Sequence, residues 1–265
     1  MRFREQNCVP AALRQTVAGW LSGFGEALDA LVFPWSCAVC GTEGITEPFC
    51  GQCREMLLEQ STSASKFVCP RCALQAGPFA DLDGGCGSCR GQSLGFDASF
   101  SMGSYEGELR ELCLRLKHER DAWLATWLGK LFVEARRDLF DSLPSDTVVV
   151  PVPLHWWRHW QRGYNQAEAL AEGLAKQLRL PVRRLLKRVV STRKLATLGV
   201  TARGEVVRGV FRVRPRSNLT GRTILLVDDV LTTGATCSGA ARVLKQAGAV
   251  RVVVSVVART ERTTL

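Results

Sequence analysis

No uncharged apolar run in this 265-residue chain is long enough to cross a bilayer. The most hydrophobic early stretch, Val17 to Trp35, carries Glu26 and Asp29, which excludes a membrane span there. The opening residues, MRFREQNCVPAAL, include Glu5 and lack a continuous apolar core, so no secretory leader is expected and the chain reads as cytoplasmic. Acidic residues are nearly missing from one segment. Between Arg179 and Arg222 stand thirteen Lys or Arg and a single acid, Glu205, a local charge of +12. The rest of the chain holds 22 basic and 24 acidic residues, so the overall +10 is concentrated in that segment. Such a segment suits a polyanion, either a small phosphorylated ligand or single-stranded nucleic acid, unless it is only a solvated face.

What is present is an ordinary globular composition, 46% apolar, enough for one large domain or two small ones. Near the N-terminus Leu13, Val17, Trp20, Leu21, Phe24, Leu28, Leu31 and Val32 recur at helical spacing. They predict an amphipathic helix within residues 1–32 that packs on the protein.

Eight of the eleven cysteines form four Cys-x-x-Cys knuckles: Cys37/Cys40, Cys50/Cys53, Cys69/Cys72 and Cys86/Cys89. Two intervening residues let both sulfurs face one ion, and two knuckles complete a tetrahedral four-sulfur site suited to Zn²⁺. One or two zinc ions are expected, in a double ribbon over residues 33–95. Either neighbouring knuckles pair, or the first pairs with the third and the second with the fourth. A closed four-cysteine site has no open coordination position, so these ions would be structural. A disulfide framework is disfavoured without a secretion signal. Cys8, Cys113 and Cys237 stand alone with no local His or acid constellation and read as buried filler.

From residue 96 onward the pattern alternates between strand and helix. Strands are expected at Ala98–Tyr105, Thr147–Val150, Ile224–Val227 and Val250–Ala258. Helices are expected at Gly107–Lys117, Ala122–Leu139 and Ala167–Leu178, with a last one over 238–247 that ends at Gly248, a position for a left-handed C-cap. The class is α/β, a parallel sheet flanked by helices. The Ile224–Val227 strand is apolar on both faces and therefore buried. It delivers Asp228 and Asp229, then a small turn of Thr232, Thr233, Gly234, Ala235 and Thr236 before the helix. Free N–H groups and the helix dipole make such a turn a phosphate cradle. The adjacent acids suit ribose hydroxyls or a Mg²⁺ with oxygen ligands. The Thr147–Val150 strand runs into Pro151-Val152-Pro153, a rigid loop that would lie beside the acids beyond the strand ends.

The string TILLVDDVLTTGAT resembles the phosphoribosyl-pyrophosphate (PRPP) motif of type I phosphoribosyltransferases. The segment from Pro151 through Arg162-Gly163-Tyr164-Asn165-Gln166 resembles the P-V-P-L … R-G-[FY]-N-Q signature of the ComF family, known from competence for DNA uptake. The knuckles, the Tyr105 … Leu116-Lys117 segment and the PRPP string follow in that family's order, from Phe33 to about Arg259. The resemblance implies an N-terminal zinc-ribbon module and a type I phosphoribosyltransferase-like domain over 96–265. It makes Asp228 and Asp229 catalytic, with Thr232–Thr236 on the 5′-phosphate. It places Val152, Pro153, Leu154 and His155 on the pyrophosphate side, with Arg158 and Arg162 as anion contacts and Asn165 and Gln166 fixing the loop or reaching substrate. His155 and His159 would protonate a leaving group, bind phosphate or merely pack. The Trp156, Trp157 and Trp160 rings would stack a base or fill core. Implied ligands are PRPP with Mg²⁺, and implied partners are single-stranded DNA or a DNA-uptake helicase. The sequence departs from the family at Leu195 and Val206, where Gln and Asn are expected.

Overall fold

The computed structural model of the chain describes residues 36–64, 67–154, 160, 163–189, 209–215 and 218–261. The N-terminal stripe, Cys8, residues 155–159, Arg162, Leu195 and Val206 lie outside the described residues. The chain forms two compact units, Met1–Cys53 and Arg54–Leu265. In the first, the Cys37–Cys40 turn is closed by Gly41 N–H donating to the Cys37 carbonyl at 2.9 Å and Cys37 N–H donating to the Thr42 carbonyl at 2.8 Å. A helix not expected from the sequence, α1 (Gly51–Ala64), starts beside Cys50.

The larger unit holds a four-stranded parallel sheet in the order β1-β6-β5-β2. Its strands are β1 (Ala98–Ser104), β2 (Val148–Pro151), β5 (Thr223–Leu231) and β6 (Arg251–Arg259). A separate antiparallel hairpin pairs β3 (Leu186–Arg188) with β4 (Phe211–Val213). The helices are α2 (Gly107–Arg115), α3 (Ala122–Ala135), α4 (Arg137–Phe140), α5 (Gln166–Leu178) and α6 (Ala235–Gln246). Ile224 to Val227 and Val252 to Val254 are almost fully buried, which is why both strands are apolar on both faces.

Two departures from expectation have local causes. The helix expected over Ala122–Leu139 breaks at Arg136 (φ −130°, ψ 42°), whose buried guanidinium turns inward and donates to the Ser101 carbonyl at 2.8 Å. The central strand continues past Val227 to Leu231, because β6 keeps pairing with it as far as Leu231 opposite Arg259. On its other side β2 stops at Pro151 opposite Val227. Asp228 and Asp229 therefore stand in the strand itself, where its β2 neighbour has ended.

Helices α3 and α5 approach backbone to backbone. A side chain at Gly129 would collide with the Leu170 carbonyl, and one at Gly173 with the Thr126 carbonyl. Asn165 caps α5 by accepting from Ala167 N–H at 3.1 Å.

Candidate functional site

A strand sends successive side chains to opposite faces, so the two acids face different surroundings. Asp228 is in phase with Ile224 and Leu226, which pack with Cys237, Ala240 and Leu244 of α6 and with Leu186 and Phe211 of the hairpin. Accordingly, Cys237 Sγ lies 3.9 Å from Asp228 Oδ2. Asp229 is in phase with Leu225 and Val227 and faces α5, where Gln166 Nε2 donates to Asp229 Oδ2 at 3.1 Å. Its other oxygen accepts from Val230 N–H at 2.8 Å, and Asp228 Oδ1 accepts from Asp229 N–H at 3.0 Å. Burial, reinforced by the charge of Asp229, pushes the Asp228 carboxyl well above the usual carboxylate range, and Arg188 opposes the shift. Burial likewise raises the Cys237 and Cys113 thiols, aided by the neighbouring aspartates. Both cysteines are buried, as filler should be.

The acids open into a cleft of about 450 Å³. Val152, Pro153 and Leu154 line one side, Asp228, Asp229, Val230, Thr232 and Thr236 another, and Tyr105, Lys117, Gln166, Arg188 and Thr260 complete it. Polar side chains converge with carboxylates at the carboxyl end of a parallel sheet, where open α/β folds bind ligands. The turn after β5 leads into α6 through Gly234, its left-handed N-cap (φ +77°). Thr233 Oγ1 accepts from Ala235 N–H at 3.3 Å.

Of the residues expected at the site, Asp228, Asp229, Thr232, Thr236, Val152, Pro153 and Leu154 share the cleft. Thr233 and Gly234 instead face a small void lined by Cys72, Cys89 and Phe96. Ala235 is the exposed first residue of α6. Asn165 is buried and holds the loop, donating from Nδ2 to the Val152 carbonyl at 3.2 Å. His155, Arg158 and Arg162 lie outside the described residues, and Trp160 is exposed. Arg188 and Thr260 were not legible as cleft residues. The alternation Leu186 in, Lys187 out, Arg188 in carries the signal for Arg188, but only once that stretch is known to be a strand.

Neighbouring knuckles pair. Cys37, Cys40, Cys50 and Cys53 form one group and Cys69, Cys72, Cys86 and Cys89 another, with all sulfurs of a group within 4.8 Å of one another. Sulfur separations are 3.7 Å for Cys40–Cys50 and 3.6 to 3.8 Å in the second group. Four thiolates about 2.3 Å from a tetrahedral Zn²⁺ would lie about 3.8 Å apart, so both groups fit a zinc ribbon. The Thr42 hydroxyl and N–H hold the Cys40 thiol down to about 6. Burial raises Cys69, but N–H groups of Cys72 and Cys86 outweigh it and bring the thiol to about 7.

Comparison with known proteins agrees with this geometry. The family described as phosphoribosyl transferase domain matches residues 165–265. The chain is 28% identical over 167 residues to Competence protein F of Haemophilus influenzae, covering 62% of this chain and 73% of that protein. It is 30% identical over 216 residues to DNA utilization protein YhgH of Escherichia coli K12, covering 76% of this chain and 88% of that protein. No helix among the described residues is long and apolar enough to cross a membrane. With its two groups of four cysteines and its phosphoribosyltransferase-like α/β sheet, the chain belongs to the ComF family.

Proposed function

We propose that the cleft binds PRPP together with Mg²⁺ and supports transfer of its phosphoribosyl group to an acceptor. The observation that carries this reading is the meeting, at one sheet end, of the Asp228–Asp229 pair, the Thr232–Thr236 turn and the Val152–Leu154 loop. In this reading the two acids hold the ribose hydroxyls and the turn takes the 5′-phosphate on its N–H groups. Val152 to His155 face the pyrophosphate, with Arg158 and Arg162 as bidentate partners. The bond from the anomeric carbon to pyrophosphate breaks as the acceptor's bond to that carbon forms, through an oxocarbenium-like transition state. Positioning and fixed charges supply most of the acceleration. The acids and a pyrophosphate are hard oxygen donors that fit Mg²⁺, which when bound neutralises the leaving charge. Each group of four cysteines holds a structural Zn²⁺ in this reading, contributing folding energy. Titration calorimetry of the purified protein with PRPP, with and without Mg²⁺, tests it: magnesium-dependent micromolar binding sustains it, and no heat from folded, zinc-loaded protein removes it.

A second reading, handling of single-stranded DNA, is favoured by one feature. Lys187 and Arg212 stand directly opposite each other on the exposed face of the hairpin. Like charges in that register repel, and a phosphate backbone would relieve the repulsion. The names of the relatives, a competence protein and DNA utilization proteins, point the same way.

A further inference from the structure

Arg259, the last residue of β6, is 4% exposed. Its Nε donates to the Cys72 carbonyl at 2.9 Å. Its Nη1 donates to the Leu231 carbonyl at 2.7 Å, the Thr260 carbonyl at 2.8 Å and the Thr232 carbonyl. Cys72 belongs to the second cysteine group, while Leu231 ends β5 and Thr232 begins the turn beyond it. One buried guanidinium thus joins a metal knuckle to the main chain of the anion turn.

Peptide geometry gives that bridge a consequence. In a trans peptide the carbonyl and the following N–H point in opposite directions. Holding the Leu231 and Thr232 carbonyls on Arg259 turns the amides of Thr232 and Thr233 away from it, as donors for something else. The Cys72 end is held by the knuckle: Ala73 N–H donates to the Cys69 carbonyl at 2.8 Å and Cys69 N–H to the Leu74 carbonyl at 2.9 Å. The same knuckle is tied to β1, where Ser99 N–H donates to the Pro70 carbonyl at 3.0 Å and Ser99 Oγ to the Arg71 carbonyl at 3.1 Å. Phe96 and Leu94, which follow the last knuckle, face Gly234 within the turn.

We propose that Arg259 is a positioning residue through which the second cysteine group sets the anion turn, so that an ordered, metal-filled cluster is a condition for binding a phosphate there. This rests on reading Thr232–Thr236 as the phosphate turn. Without the ion the Cys72 carbonyl leaves Arg259. The guanidinium then has one acceptor fewer to fix its plane, and the Thr232 and Thr233 amides lose their common orientation. The cluster is then part of the ligand's affinity as well as of the fold.

The test uses the full-length, zinc-loaded protein and the variants Arg259→Gln, Cys89→Ser and both together. Three quantities are read: PRPP·Mg affinity, zinc content, and amide exchange over 231–236. Arg259→Gln should keep the wild-type zinc content yet bind PRPP about tenfold more weakly, with faster exchange at 232–236. Cys89→Ser should lose the second ion and show the same two effects with Arg259 in place. Because both break one connection, the double variant should be no weaker than the worse single. Arg259→Lys, which keeps the charge but not the fork, should recover part of the loss and stands in if the Gln variant does not fold. Affinity within twofold of wild type and unchanged exchange in zinc-loaded Arg259→Gln overturn the proposal, as does a double variant whose losses multiply. A wild type that binds no PRPP removes the phosphate reading instead. Exchange then decides the coupling alone: faster at 232–236 in zinc-loaded Arg259→Gln sustains it, and wild-type rates overturn it.

Discussion

Gln166 holds Asp229 in place, donating to its Oδ2 at 3.1 Å, while the buried Oε1 of the same amide has no partner among the described residues. A buried acceptor left unsatisfied costs about 1–3 kcal/mol, and the residue that bears it lines the cleft beside Asp229. Gln166→Leu should therefore weaken PRPP·Mg binding by about tenfold, with stability changed by less than the affinity. Gln166→Glu should be worse, because it sets a like charge against Asp229. Calorimetry with melting curves for both variants checks this.

Asp228 pays a folding cost for its position. Its carboxyl titrates above the unfolded value, so the folded state holds more protons, and ligand-free wild type should lose stability as pH rises from about 4 through the folded pKa. Asp228→Asn should remove that slope. At neutral pH it should raise the melting temperature by a few degrees, about 1 kcal/mol, while abolishing PRPP binding. A melting temperature below wild type would show that the carboxylate is held favourably.

Arg188 and Lys187 are neighbours in the chain with separate fates, one in the cleft over the Phe211 ring at 5.5 Å and the other on the exposed face. Arg188→Met should weaken PRPP by about tenfold or more and leave any DNA affinity nearly unchanged. Lys187→Ala with Arg212→Ala should do the reverse, lowering the salt slope of single-stranded DNA binding by about 1.4. Equal effects of both changes on both ligands would mean that the hairpin acts only through its net charge.

Metal analysis of freshly purified protein should return two zinc ions per chain, one for each four-sulfur group. Iodoacetamide applied to the native protein near neutral pH should leave Cys113 and Cys237 unmodified, since burial raises both thiols. After chelation the knuckle cysteines should label first, read by peptide mass spectrometry.

Much of this was legible where chemistry and local pattern coincide. The Ile224–Val227 run, the four knuckles and the small turn before α6 each carry their own physics within a few residues. The pairing of the knuckles was not legible, because it depends on which turns lie side by side. Nor was α1, whose string GQCREMLLEQSTSA has little apolar periodicity. The break at Arg136 depends on a carbonyl 35 residues away, and the placement of Asp228 within the strand depends on how far β6 keeps pairing. Arg259 is the extreme case, since its partners Cys72 and Leu231 lie 187 and 28 residues away in sequence.

The glycine contact between α3 and α5 has a consequence for interpreting genetic screens. Gly129 and Gly173 set how closely the two helices lie, and α5 begins with Gln166, which fixes Asp229. A larger residue at either glycine pushes α5 outward and carries the amide off the carboxylate. Such an allele would be recovered as a ligand-binding defect although it touches no ligand. Because the atoms met are main-chain atoms of the opposing helix, no shortened side chain there would relieve the clash, and the signature would be lost affinity with every cleft residue intact.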